Sequence, residues 1–374
     1  MRSLQSLDVR NKRVLLRAGF DVPLKNNRVV DDARIREALP TINYLLEHNA
    51  TVIIITHLGR PEGKVVPALS AKPVGKVLAR LLKRKVVTLD DCIGVEEYLA
   101  GAKPGEVYLL ENLRFHPEEK ANDAAFARKL AGLADVYVND AFSDAHRSHA
   151  SIVSVPKYLP HAVGLFMEKE VNTLSQLLSC PKSPYVAVLG GAKISDKIEL
   201  IKKLLRKADI VLTGGAMALS FYKSIGVCVG NSKAELYDGA KKLLSSKKIV
   251  LPVDFVGVRN SRLERYDFNS IPKEAVCYDN GPETTKIYQE IISKARTLVW
   301  NGPMGFFEDK RFAKSTVEVA KAISLNNGLT IVGGGDTVGS IEGLNLKYSH
   351  VSTGGGAMLT FLEGKMLPGV RALK

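Results

Sequence analysis

Cysteine is scarce in this chain and never paired along it. The four cysteines, Cys92, Cys180, Cys228 and Cys277, lie far apart with no CxxC among them. That excludes a zinc ribbon and gives no disulfide framework. Tryptophan occurs once, and aromatic residues make up only 7% of the chain. Aromatics interleaved with lysine and arginine, the mark of a surface for single-stranded nucleic acid, are lacking. Long apolar runs are missing too: the strongest, around residues 52–55, falls far below the roughly 18 residues a membrane helix needs. The first residues, MRSLQSLDVRNKRVLLR, carry charge where a signal peptide needs an apolar core. A cytoplasmic protein with no membrane partner is expected. No segment recurs at a period of 20–50 residues, so a solenoid is excluded. The common nucleotide fingerprints are also absent. No GxxxxGK[ST] occurs, and Gly333-Gly334-Gly335 leads to Gly339 with the wrong last spacing for GxGxxG.

What is present is an ordinary globular mix, 45% hydrophobic and 25% charged over 374 residues. At roughly 150 residues per domain, two domains are the simplest count. Net charge is +14, and the excess is spread: residues 1–160 carry 24 basic and 19 acidic side chains, the remainder 29 and 20. There is no basic tail. The charge reads as a solvated basic surface, and no nucleic-acid partner is expected. The competing reading is a basic nucleic-acid-binding protein with a degraded kinase site.

The chain repeats one sentence: a short apolar or β-branched run, a polar or glycine-rich loop, then an amphipathic helix. RVLLRAGFDVPL, ATVIIITHLGRP, EVYLLENLRFHPEE and DVYVNDAFSDAHRSH do so in the first half. YVAVLGGAKISDKIEL, ADIVLTGGAMAL, TLVWNGPMGFFE, GLTIVGGGDTVG and HVSTGGGAMLTF do so in the second. Such alternation predicts parallel sheets covered on both faces, hence two doubly wound α/β domains. The prolines of SIVSVPKYLPHAVG mark a boundary, and HAVGLFMEKEVNTLSQLL after them has helical periodicity, predicting a connecting helix over 161–179.

In open α/β sheets ligands bind beyond the carboxyl ends of the strands, so the loops should hold the chemistry. First-half loops carry Arg17, His57, Arg60, Arg114, His116, His146, Arg147 and His149. Guanidinium groups delivered to one sheet edge suit a small phosphate- or carboxylate-bearing ligand, or each pairs with a local carboxylate. Second-half loops carry Gly190-Gly191, Gly214-Gly215, Gly333-Gly334-Gly335 and Gly354-Gly355-Gly356. Glycines ahead of a helix let backbone N–H groups approach phosphate, or serve a tight turn. GGAKISDKIEL predicts Ser195 as a helix N-cap, with Lys193 just before the helix and Lys197 in its first turn. A lysine there opposes the helix dipole, which favours a functional role. Asp336, beside three glycines, suits Mg²⁺ bridged to nucleotide phosphates, or is an N-cap. An anion pocket on one domain and a nucleotide-like pocket on the other point to phosphoryl transfer, catalysed by positioning and charge neutralisation.

KRVLLRAGFDVPL, THLGRP, LLENLRFHPEE, NDAFSDAHRSHAS, GGAKISDKI, VWNGPMGFFE, GGGDT and SHVSTGGGA together resemble the motif series of the phosphoglycerate kinase family, in the family's order, from about residue 8 to 370. The resemblance implies reversible, Mg²⁺-dependent phosphoryl transfer between 1,3-bisphosphoglycerate and ADP, giving 3-phosphoglycerate and ATP, by a monomer. It implies a 3-phosphoglycerate domain over 1–160 plus about 360–374, an interdomain helix and hinge at 161–179, and a nucleotide domain over 180–359. The substrate side would use Gly19, Asp21, Arg34, His57, Arg60, Arg114, His146, Arg147 and His149. The nucleotide side would use Lys193, Lys197, Gly214, Gly215, Glu308, Gly334, Gly335, Asp336 and Thr337, with Asp336 on the metal. Arg34, Lys193, Lys197, Gly334 and Gly355 would act in catalysis, Lys197 following the transferred group. Glu308 would meet the ribose, and Gly214 and Gly215 the adenine.

Two departures stand out. The family's R-V-D-F-N-V-P is here Arg17-Ala18-Gly19-Phe20-Asp21-Val22-Pro23, so a carboxylate is missing at 19 and one stands at 21. Weaker 3-phosphoglycerate binding is expected from that loss. Ser143-Asp144 replaces the Gly-Thr of many members, adding a negative charge beside an anion pocket.

Overall fold

Strands made of β-branched and aliphatic residues on both faces must be buried on both faces, and this is what forms. The computed structural model describes residues 1–374. They divide into two units, residues 1–172 with 366–374, and residues 173–365.

The first unit begins with β1 (Arg13–Arg17), followed by a small antiparallel ribbon of β2 (Leu24–Lys25) and β3 (Arg28–Val29). Its sheet then adds β4 (Thr51–Ile55), β5 (Val86–Thr88), β6 (Val107–Leu109), β7 (Val136–Asn139) and β8 (His161–Val163). The order is β5-β6-β4-β1-β7-β8, with every pair parallel. One face packs Val14, Leu16, Val52, Ile54 and Val138 against Ile35, Ile42 and Leu45 of the helix Ala33–Glu47 and Val74 and Leu78 of the helix Lys72–Leu82. Winding reverses at β1, which has β4 on one side and β7 on the other.

The second unit contains β9 (Tyr185–Leu189), β10 (Ile210–Thr213), β11 (Ile249–Val250), β12 (Asp254–Arg259), β13 (Arg262–Asp267), β14 (Val276–Asn280), β15 (Thr297–Asn301), β16 (Leu329–Gly333) and β17 (His350–Ser352). Its main sheet runs β11-β10-β9-β15-β16-β17, all parallel. Three strands wind one way and three the other, so the crevice of this doubly wound sheet lies between β9 and β15. Val186, Val188, Leu212 and Trp300 pack there with Tyr288, Ile292, Val319 and Ile323.

Three features differ from the sequence reading. The second unit also holds an antiparallel sheet, β13-β12-β14. Its hairpin turns at Asn260-Ser261, both at positive φ (49° and 63°), as the twist of paired strands prefers. The charged outer face of RLERYD hid it. The predicted helix over 161–179 is instead strand β8 followed by the helix Leu165–Ser179. His161–Val163 pairs with Tyr137–Asn139, and the backbone N–H of Met167 then donates to the buried Asp140 carboxylate at 3.0 Å. The division between units falls within that helix, after Asn172, and the chain rejoins the first unit at Met366. Lastly, Ser195 is not an N-cap. Residues Ser195–Lys197 form a single 3₁₀ turn, the Ser195 N–H donates to Glu235, and Lys197 itself occupies the N-cap position of the helix Ile198–Leu205.

The fully buried Tyr137 of β7 donates its hydroxyl to the Ser151 carbonyl at 2.6 Å. Tyr137→Phe strands that carbonyl, so urea unfolding followed by circular dichroism should show a loss of about 1–2 kcal/mol. An unchanged midpoint would mean the bond contributes nothing.

Candidate active site

In the first unit the cationic residues gather at the carboxyl ends of the strands. Arg17 closes β1, His57 and Arg60 follow β4, Arg114 follows β6, and His146, Arg147 and His149 follow β7. Arg17 has no exposed surface. Its Nε donates to Ser151 Oγ (3.1 Å), one terminal nitrogen to the Ala18 carbonyl, and the other lies 2.9 Å from His57 Nδ1 and 3.1 Å from Asp144 Oδ2. Asp144 also lies 3.3 Å from His57 Nδ1, 3.3 Å from Arg147 Nε and 3.7 Å from Arg114. Burial opposes its ionisation, yet His57, Arg17, Arg114 and Arg147 outweigh burial and hold it well below the usual carboxylate range.

Asp21 is gathered into the same cluster. Its Oδ1 accepts from the Gly59 N–H (2.8 Å), and its Oδ2 lies 3.4 Å from His57 Nε2. Burial alone would raise its pKa; the bond and charge of His57, with the Gly59 N–H, bring it down to about 2. Arg34, in the first turn of its helix, donates to the Asp21 carbonyl at 2.8 Å. Arg114 donates to the Gly59 carbonyl at 2.7 Å, while its Nε is buried without a hydrogen-bond partner. Burial, then the charge of Arg114, drives His149 down to about 3, so it is neutral near pH 7. Burial and Arg147 lower His146 as well, and its Nδ1 is buried and unbonded. Arg60 stands exposed, and Gly19 lies against Ser143 and Ala141. His116 is not part of this group: its Nε2 pairs with Asp91 at 2.7 Å.

In the second unit the glycine turns meet at the β9/β15 crevice. A Cβ at Gly190 would overlap the Pro303 carbonyl, and one at Gly214 would meet Met304, so these loops approach closer than any side chain allows. Lys197 bends back into the turn: Nζ donates to the carbonyls of Gly190 (2.6 Å) and Asn301 (3.1 Å). Burial lowers its pKa to about 8, against the raising influence of Asp336 and Asp196. Asp336 is exposed in the first turn of the helix Gly335–Ser340, after Gly334 at φ 102°. Thr337 is buried, and its hydroxyl accepts the Gly302 N–H at 2.6 Å. Gly355 precedes the helix Gly356–Leu362 at positive φ. Lys193 and Glu308 are exposed on their loops, and Gly215 lies against the Gly191 backbone.

The structure places Asp144, which the sequence showed only as an added negative charge, and adds two residues the sequence did not single out. Asp144 is the hub of the arginines, and Asn301 and Gly302 form the wall that Lys197 leans on. The VWNGP motif held the latter pair, but only strand order reveals that β15 adjoins β9. A cavity of about 1080 Å³ lies among Cys180, Lys182, Arg296, Thr297 and Asn326, at the amino ends of the strands, and holds none of these groups.

One sheet is edged with guanidinium groups and the other with glycine turns around a half-buried lysine, donor sets that suit a protein handling phosphate-bearing anions on both units. The phosphoglycerate kinase family model matches residues 4–365. The chain is 50% identical to the phosphoglycerate kinase of Moorella thermoacetica, covering 99% of this chain and 98% of that one. It is 48% identical to that of Pelotomaculum thermopropionicum, covering 100% and 98%. Solved phosphoglycerate kinases from Coxiella burnetii and Pyrococcus horikoshii superpose with TM-scores of 0.89 and 0.89, at 36% and 37% identity, over 99% and 100% of this chain and 98% of each of theirs. The chain therefore belongs to the phosphoglycerate kinase family. The nucleic-acid-binding alternative has no support among these relatives.

Thr337→Val keeps the side-chain volume and removes the acceptor for the Gly302 N–H. Steady-state kinetics should show the KM for ADP raised about fivefold or more, from an unpaired donor of about 1 kcal/mol or more, with the KM for the second substrate unchanged. Equal rises in both constants would argue against a local effect.

Proposed function

We propose that the chain transfers a phosphoryl group reversibly between 1,3-bisphosphoglycerate and ADP. An oxygen of the ADP β-phosphate forms a bond to phosphorus, the acyl phosphate P–O bond breaks, and the carboxylate of 3-phosphoglycerate departs with its electron pair. Arg34, Arg60, Arg114 and Arg147 bind the phosphate and carboxylate of the glycerate, with His57, His146, His149, Asp21 and the open backbone at Gly19 around its remaining atoms. Neutral imidazoles at 146 and 149 offer hydrogen bonds without adding charge.

On the nucleotide side, Lys193 and Lys197 neutralise phosphate, Gly214 and Gly215 leave room for adenine, and Glu308 takes the ribose hydroxyls. Gly334, Gly335, Thr337 and Gly355 present backbone to phosphate. Lys197 is poised to exchange its two carbonyl partners for the transferred group. That convergence of Lys197 with the glycine turns on the β9/β15 crevice carries the reading. The exposed Asp336 carboxylate, a hard oxygen donor in the first turn of its helix, fits Mg²⁺ and would be the residue to hold it. Bound there, Mg²⁺ neutralises phosphate charge. The chemistry requires the reacting atoms of the two ligands to come within about 3.5 Å. Two exposed free cysteines, Cys180 and Cys228, fit a reducing cytoplasm, and a net charge of +14 disfavours self-association and fits a monomer.

A coupled assay of ATP formation tests the activity, and chelation of Mg²⁺ should abolish it. Lys197→Ala should lower kcat about 100-fold or more while leaving the KM for 3-phosphoglycerate within about twofold, the mark of a group that acts on developing charge. A near-normal kcat removes Lys197 from that role. Because Lys197 loses its proton as pH rises through about 8 in the free enzyme, kcat/KM for nucleotide should fall above that pH. The fall in kcat should come at higher pH, since bound phosphate favours the charged amine; a flat kcat/KM profile between pH 7 and 9.5 would contradict this.

A further inference from the structure

One carboxylate serves three guanidinium groups in the first unit. Asp144 lies 3.1 Å from Arg17, 3.3 Å from Arg147 and 3.7 Å from Arg114, and 3.3 Å from the His57 imidazole. These cations come from β1, from the loop after β6 and from its own loop. Asp144 is itself buried, so its charge acts on them with little screening by solvent. Side by side with this turn lies Gly19. A Cβ built on Gly19 would stand 3.2 Å from Ser143 Oγ and 3.7 Å from Ala141 Cα. The two departures noted in the sequence are therefore neighbours in space: a carboxylate absent at 19, and one present at 144.

We propose that Asp144 is a positioning residue for 3-phosphoglycerate, and that it is coupled to Gly19. Its carboxylate holds Arg114 and Arg147 in register with the buried Arg17. The contact between these loops accommodates one carboxylate. With two, an anionic substrate meets an added like charge, and the new side chain crowds Ser143. With none, three guanidinium groups lose their shared partner and spread. On this proposal the carboxylate missing at 19 is supplied from 144. This rests on the activity proposed above.

The test is a double-mutant cycle on the full chain: wild type, Gly19→Asp, Asp144→Thr and the double variant, with Asp144→Asn as a charge-only control. Each is measured for kcat, for both KM values in the direction of ATP consumption, and for thermal midpoint without ligands. Gly19→Asp should raise the KM for 3-phosphoglycerate about tenfold, and Asp144→Thr or Asp144→Asn should do likewise, with the KM for ATP held within about twofold. Asp144→Thr should also lower the melting temperature. In the double variant the KM should return to within about threefold of wild type, and part of the lost melting temperature should return with it. Single effects that multiply in the double variant overturn the coupling. An unchanged KM in Asp144→Asn overturns the positioning role. If Asp144→Thr does not fold, the double variant against Gly19→Asp decides: a lower KM supports the coupling, an equal or higher one defeats it. Loss of the activity reading would show separately, as a wild type without turnover; the melting temperatures of the cycle would still report whether positions 19 and 144 are coupled.

Discussion

A guanidinium with no exposed surface must be neutralised where it stands, and Arg17 is that group. It sits at the last position of the strand about which the first sheet reverses its winding. Leaving such a charge unpaired would cost several kcal/mol. The Arg17–Asp144 pair therefore ties the end of β1 to the loop after β7. Through Asp144 the same constraint reaches Arg114 and Arg147, and through His57 it reaches Asp21 and the loop after β4. Four loops that would otherwise be independent are fixed by one buried electrostatic knot.

The second unit solves the opposite problem. Its strand-end turns offer backbone and lysine rather than a wall of arginines. Glycines let the turns after β9, β10 and β15 pack closer than side chains permit. Lys197, held in a dry turn and at a helix N-terminus, gives up part of its hold on the proton. Its amine donates to the carbonyl oxygens of Gly190 and Asn301. A cation kept in reserve by weak partners is well suited to meet charge that appears during reaction.

Much of this was legible in the chain. Short β-branched runs followed by Arg- or Gly-bearing loops placed the chemistry at strand ends, and the structure puts Arg17, His57, Arg114, Arg147 and Lys197 there. What was not legible had physical causes. β9 and β15 are neighbours although about a hundred residues separate them, and no local pattern carries that. His161–Val163 shares its apolar character with the helix that follows, so periodicity merged the two. The hairpin of β12 and β13 pairs a buried face with a charged one, and its charges masked it. Asp144 looked like an unwelcome negative charge near an anion pocket, because three of its partners, Arg17, His57 and Arg114, come from elsewhere in the chain.

Trp300 carries a consequence of its own. It is the only indole in the molecule, is wholly buried, and donates its N–H to the Gly302 carbonyl in the turn that Lys197 faces. Its fluorescence therefore belongs to the second unit alone and to the crevice in particular. The protein thus carries a single intrinsic optical reporter, seated in the turn that Lys197 faces.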